Sequence, residues 1–155
     1  MLILGFPFET TVAVSRLIVS GTLDRFPDLK LLVAHAGAAM PSLIGRLDSC
    51  VAHDIAVSNR LQHAPTHYFQ RMYFDAIAYS KPSMDCIIEF AGEDKIMFGT
   101  DNPFFPPPGE GSMNADGSSD SLWPSTMKVY DVMSHLPVET QQKICSANAT
   151  RILNL

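Results

Sequence analysis

Two residues of this 155-residue chain stand where a side chain could bind a metal ion or move a proton: His35 and Asp101. Each closes a short apolar run, Leu29-Lys-Leu-Leu-Val-Ala-His35 in one case and Lys95-Ile-Met-Phe-Gly-Thr-Asp101 in the other. A short aliphatic run bounded by polar residues or glycine reads as a buried parallel strand. In parallel α/β folds, ligands and catalytic groups sit beyond the carboxyl ends of the strands. The small residues after His35, Ala36-Gly37-Ala38-Ala39, leave room beside an imidazole whose charge changes near neutral pH. A carboxylate directly after Ile96-Met-Phe-Gly-Thr100 is costly to bury without a metal or a cationic partner. The plainer readings are a core histidine satisfied by the backbone, and an Asx turn or helix cap at Asp101 ahead of Pro103.

The remaining titratable residues invite less. Asp75 closes the run Met72-Tyr-Phe-Asp75, but nothing around it specifies a role, so it reads as structural. His53, His63 and His67, spaced by ten and four residues, have the separations of a metal pair, and a solvated surface is the simpler reading. His135 falls at a helix end, where it can meet the dipole. Cys50, Cys86 and Cys145 are odd in number and form no CxxC pair, which fits reduced, buried thiols in a cytoplasmic protein.

These residues need elements to position them. A helix is expected from Glu9 to about Thr22, after an apolar fragment from Met1 to Phe6 that stops at Pro7 and looks like the tail of something begun upstream. Phe26-Pro27-Asp28 turns the chain into the strand that ends at His35. Pro41 opens a helix with the apolar stripe Leu43, Ile44, Leu47 and Val51. Residues 55–70 read as an irregular connection. Met72–Asp75 is a second strand. Lys81-Pro82-Ser83 opens a helix that ends at Gly92. Ile96–Gly99 is a third strand. Residues 102–124 form a long proline- and glycine-rich loop, of a length more often functional than incidental. Two closing helices are expected over Ser125–Leu136 and Pro137–Leu155. Strands alternating with helices imply a parallel sheet with right-handed crossovers. Three strands are too few for a closed barrel, which takes about eight.

Composition narrows the functions. With 46% hydrophobic and 17% charged residues the chain is a globular single domain. A net charge of −5, with no run of Lys or Arg, argues against nucleic acid. No apolar stretch approaches the roughly 20 residues that span a bilayer. The N-terminus has neither a basic leader nor an apolar stretch of signal-peptide length.

Four segments, in order, carry a resemblance: Gly5-Phe-Pro-Phe-Glu-Thr-Thr11; Phe26-Pro-Asp-Leu-Lys-Leu-Leu-Val-Ala-His-Ala-Gly37; Pro41 with Gly45-Arg46; and Asp94-Lys-Ile-Met-Phe-Gly-Thr-Asp-Asn-Pro-Phe104. With Asn148-Ala149 and Ile152-Leu-Asn-Leu155, they resemble the C-terminal half of the aminocarboxymuconate-semialdehyde decarboxylase family of the amidohydrolase superfamily. The resemblance implies the C-terminal portion of a (β/α)8 TIM-type barrel, α/β in class and incomplete as a barrel. It implies one divalent metal, zinc first and manganese second, with no organic cofactor. The activity implied is non-oxidative decarboxylation of a small aromatic or unsaturated carboxylic acid. By position, Asp101 matches a metal-binding aspartate and His35 an acid–base histidine. Arg46 matches an arginine that reaches the neighbouring subunit's site in a homodimer and grips the substrate carboxylate. Phe104 matches an aromatic beside the substrate. Asn102 stands where the family usually has an aromatic. The family's His-x-His pair and a further histidine ligand have no counterpart in this chain. Two other readings stay open: hydrolysis of an ester, lactone or amide in the same superfamily, and an inactive domain that binds a partner chain.

Overall fold

The computed structural model describes residues 2–102, 104–105 and 123–155. Three short parallel strands, β1 (Leu32–Val33), β2 (Tyr73–Asp75) and β3 (Ile96–Met97), form one sheet in that order. Leu32 faces Tyr73 and Val33 faces Phe74; Phe74 faces Ile96 and Asp75 faces Met97. The strands are shorter than the apolar runs that announce them. Beyond Met97, the Phe98 N–H turns away from β2 and donates to the Ile144 carbonyl at 2.9 Å. All three strands run the same way, so His35, Asp75 and Asp101 emerge from one end of the sheet.

Helices α1 (Leu2–Val19), α3 (Met40–His53) and α6 (Lys81–Ala91) pack around the buried residues Ile18, Ile44, Phe74, Met84, Ile87 and Ile96. The Phe69 and Phe74 rings meet edge to face, with centroids 5.0 Å apart. The start of α3 is legible in Pro41 at its first turn, and α6 starts from Ser80, whose hydroxyl accepts the Ser83 N–H at 3.3 Å. Within the α3 stripe Ile44 and Val51 are buried, whereas Leu43 is exposed.

Several expectations are corrected. Pro7 does not end a fragment: α1 runs through it from Leu2. Proline removes a single N–H donor there, and the Thr11 hydroxyl donates to the Pro7 carbonyl at 2.8 Å. After α2 (Thr22–Arg25) and β1, the stretch 55–70 is not irregular; it holds α4 (Ile55–Ser58) and α5 (Pro65–Phe69). Asp54 caps α4 by accepting the Ala56 and Val57 N–H groups, and Asp48 of α3 accepts the Thr66 N–H at 2.9 Å. The closing helices are α7 (Pro124–Met133), α8 (Val138–Gln142) and α9 (Asn148–Leu153), with a π-helical turn over Lys143–Ala147. Cys50 and Cys145 are exposed and Cys86 half-buried, so the thiols are free but not buried. Most of the expected 102–124 loop, including Pro103 and residues 106–122, lies outside the described residues.

The two edges of the sheet differ. The Asn148 amide donates to the Glu93 and Ile96 carbonyls at 2.7 and 2.8 Å and, with the Phe98–Ile144 bond, ties β3 to the closing helices. On the β1 side, Leu32 is 59% exposed beside an apolar groove of about 430 Å³ formed with Val14, Leu17 and Met72.

Candidate active site

The turn that carries His35 is built on a carboxylate from the neighbouring strand. Asp75, at the end of β2, accepts the His35 N–H at 2.9 Å on Oδ2; its Oδ1 accepts the Ala36 N–H at 2.8 Å and the Ile77 N–H at 3.1 Å. Those bonds hold a backbone that L-residues resist: φ is 59° at His35, 50° at Ala36 and 54° at Ala38. Left-handed conformations cost roughly 1–2 kcal/mol per non-glycine residue. Gly37 has φ 80°, and a Cβ there would lie 3.1 Å from Phe69 Cζ and 3.3 Å from Phe74 Cδ1. Burial pushes the Asp75 carboxyl above its ordinary range, and the three N–H donors partly offset that push. Asp75 is structural, as its sequence context implied, and its task is specific: it places His35.

Helix α1 grips the same turn from the other side. Thr10 Oγ1 lies 3.2 Å from His35 Nδ1, and Thr11 Oγ1 accepts the Ala39 N–H at 3.1 Å. The half-buried imidazole opens onto a cavity of about 390 Å³ walled by Leu4, Pro7, Pro41, Ile77, Tyr79 and Cys86.

Asp101 reaches this cavity through Tyr79. The Tyr79 hydroxyl donates to Asp101 Oδ2 at 2.7 Å. Burial raises the phenol well above its usual range, and the neighbouring Asp101 carboxylate raises it further, so the hydroxyl stays protonated and donates. The Asp101 side chain accepts from Tyr79, and its backbone carbonyl accepts the Phe104 N–H at 2.8 Å. Both Tyr79 and Asp101 are left-handed, at φ 57° and 58°. Sequence reasoning passed over Tyr79, whose only signal is its place in the loop after β2.

Arg46 and Phe104 lie outside this cavity. Arg46 is exposed on α3 and makes no ion pair among the described residues. The Phe104 ring packs 6.4 Å from Phe6, and its carbonyl accepts the Trp123 indole N–H at 2.8 Å. His63 and His67 are exposed, with their rings stacked 4.0 Å apart. His135 does more than meet a dipole, since its Nε2 lies 2.6 Å from Asp85 Oδ1.

Among the described residues, no three His, Cys, Asp or Glu side chains converge where a metal ion could sit. Asp101 offers one carboxylate, whereas a zinc site takes three or four donors. By themselves these residues do not complete a metal site. They do concentrate strain. Among the described residues the non-glycine positions with positive φ are His35, Ala36, Ala38, Tyr79, Asp101, Phe105 and Asn154. All but Asn154, which ends α9, follow the carboxyl ends of the three strands. Strain of this kind persists where the surroundings over-determine it, and it gathers at functional sites.

The profile of the amidohydrolase family matches residues 2–155. The chain belongs to that family. Over 105 residues it is 32% identical to the 2-amino-3-carboxymuconate-6-semialdehyde decarboxylase of Dictyostelium discoideum, a match covering 66% of this chain and 29% of that enzyme. The fold superposes on the apo crystal structure of Metarhizium anisopliae IDCase with a TM-score of 0.84 at 32% identity, over 99% of this amidohydrolase chain and 41% of that one. A dihydroxybenzoic acid decarboxylase from Polaromonas, solved with bound manganese and 2-nitroresorcinol, superposes at 0.76 and 23% identity over 42% of its length, a likeness of fold. The chain thus spans less than half of these relatives. Its three-stranded parallel sheet is a sector of the amidohydrolase (β/α)8 barrel.

Proposed function

We propose that this chain supplies the acid–base sector of a metal-dependent, non-oxidative decarboxylase acting on a small aromatic or unsaturated carboxylic acid. The observation that carries the reading is the clustering of strained residues, His35, Tyr79 and Asp101 among them, at the carboxyl ends of the strands. The decarboxylase names of the relatives choose the reaction.

In this proposal the His35 turn, fixed by Asp75, presents an imidazole whose Nδ1 faces Thr10. The other ring nitrogen delivers a proton to the substrate carbon bearing the carboxylate. The C–H bond forms there, the bond to the carboxylate carbon breaks, and its electron pair restores the conjugation as carbon dioxide leaves. Proton transfer by a positioned side chain contributes typically about 10²–10⁴-fold. Asp101, held by Tyr79, would give one oxygen ligand to a divalent cation, zinc by family resemblance or manganese as in the Polaromonas enzyme; its other ligands would come from strands outside this chain. Exposed Arg46 supports a homodimer in which it meets the substrate carboxylate in the neighbouring subunit, as the planar guanidinium fork favours. Phe104, beside Phe6, would line the approach to the pocket. The free cysteines support a cytoplasmic location. No described helix is long and apolar enough to cross a membrane.

The test is to incubate a barrel containing this sector with carboxyl-labelled 2,6-dihydroxybenzoate and, separately, with an aryl ester. Labelled carbon dioxide without ester cleavage supports decarboxylation; ester cleavage alone replaces it with hydrolysis. The open β1 edge and its apolar groove favour one second reading, an inactive domain that pairs with another chain. A monodisperse, well-folded monomer rejects it.

A further inference from the structure

The amino ends of the strands carry an arrangement that the proposed reaction does not use. Lys30 lies two residues before β1, Arg71 two before β2, and Lys95 directly before β3. All three line one pocket of about 310 Å³, at the opposite end of the sheet from His35 and Asp101. Asp28 is the single acidic residue in its wall, so the lining carries two net positive charges in a chain whose net charge is −5.

These cations are under-used. None of the three forms an ion pair among the described residues. Lys30 Nζ donates to the Ile152 carbonyl at a long 3.4 Å, and Arg71 donates to the Pro27 carbonyl. Lys95 lies 5.6 Å above the Tyr73 ring. A lysine has three donors and an arginine five, so most remain free. Two nearby acids are engaged elsewhere, Asp24 accepting the Tyr68 hydroxyl and Asp94 pairing with Lys143 at 3.1 Å, which leaves Asp28 as the one acid in the wall set against three cations. Burial lowers Lys95 below its ordinary range, and the like charges of Arg71 and Arg151 lower it further. An anion in the pocket would relieve that repulsion. Leu23, Leu31 and Met72 supply an apolar part of the wall, and about 310 Å³ is more space than inorganic phosphate fills.

We infer that this pocket binds a small dianion with an apolar body, an aryl phosphate or an aromatic dicarboxylate, on Lys30, Arg71 and Lys95. The site stands independently of the decarboxylase reading. It is tested on the purified chain by calorimetric titration and thermal unfolding with phenyl phosphate and with isophthalate, at about 10 mM ionic strength where charges are weakly screened. The expected result is saturable binding of at least one probe, with a midpoint rise of about 5–10 °C at a hundredfold excess over Kd. Tighter phenyl phosphate identifies phosphate as the group read; tighter isophthalate identifies carboxylates. Lys95→Met, and separately the exposed pair Lys30→Gln with Arg71→Gln, should each weaken binding by at least about tenfold. His35→Ala, at the far end of the strands, should leave it unchanged. No saturable binding of either probe overturns the inference, as does binding that both sets of variants leave intact.

Discussion

Replacing Asp75 by asparagine isolates the bond that places His35. In the wild-type turn Oδ1 accepts two N–H groups, from Ala36 and Ile77, and Oδ2 accepts the N–H of His35. An asparagine that keeps its oxygen in the Oδ1 position turns its NH₂ toward the His35 N–H, donor against donor. The flipped amide is worse, because it opposes two donors instead of one. A lost hydrogen bond to a charged acceptor is worth about 1.5–3 kcal/mol. The two surviving bonds weaken as their acceptor becomes neutral. Against this, asparagine escapes the burial penalty that raises the Asp75 carboxyl, which favours the lower half of the range. The expected loss is about 1.5–2.3 kcal/mol, or roughly 3–9 °C in midpoint for a chain of this size. Urea unfolding followed by circular dichroism measures the loss, and hydrogen exchange at the His35 amide localises it. A loss below about 0.5 kcal/mol, the range of an ordinary surface substitution, with His35 exchange unchanged, would refute the assignment of Asp75 as the support of the turn.

Three other outcomes are expected. Gly37→Ala places a Cβ at φ 80° against the buried Phe69 and Phe74 rings, so it should destabilise by about 2–4 kcal/mol in the same unfolding assay; a neutral result would mean the turn relaxes freely. Asn148→Ala leaves the Glu93 and Ile96 carbonyls without their amide donor and should cost about 2–3 kcal/mol, with faster exchange along β3. Bonds from Lys143 and then Thr140 hold the Glu93 carboxyl below its ordinary 4.5, so its stabilising effect is full above 4.5 and is lost as pH falls through the lowered value. The midpoint difference between wild type and Glu93→Gln should therefore shrink on acidification through that window; a difference that grows contradicts the ion-pair reading.

Local punctuation made part of this fold legible. Pro41 and the Lys81-Pro82-Ser83 start announced α3 and α6, and the apolar runs located all three strands; that Ser80 is the cap of α6 came from the structure. What escaped depends on partners distant in sequence. Helix α5 begins at Pro65 with its Thr66 N–H on Asp48, which a window over residues 55–70 does not contain. Helix α1 continues through Pro7, which costs it one N–H donor, and Leu4 and Pro7 of its first turns line the His35 cavity, a placement set by residues some thirty positions away. At the site, strand-end placement picked out His35 and Asp101. It could not reveal that Asp75, forty residues from His35, carries the turn, nor that Tyr79 bonds to Asp101.

The most direct test of the central claim is turnover by His35→Ala in a barrel that contains this sector, with metal content measured on the same sample. Release of labelled carbon dioxide should fall by at least about 10²-fold while the metal is retained. Undiminished release from a metal-loaded variant would contradict the assignment of His35 as the proton donor.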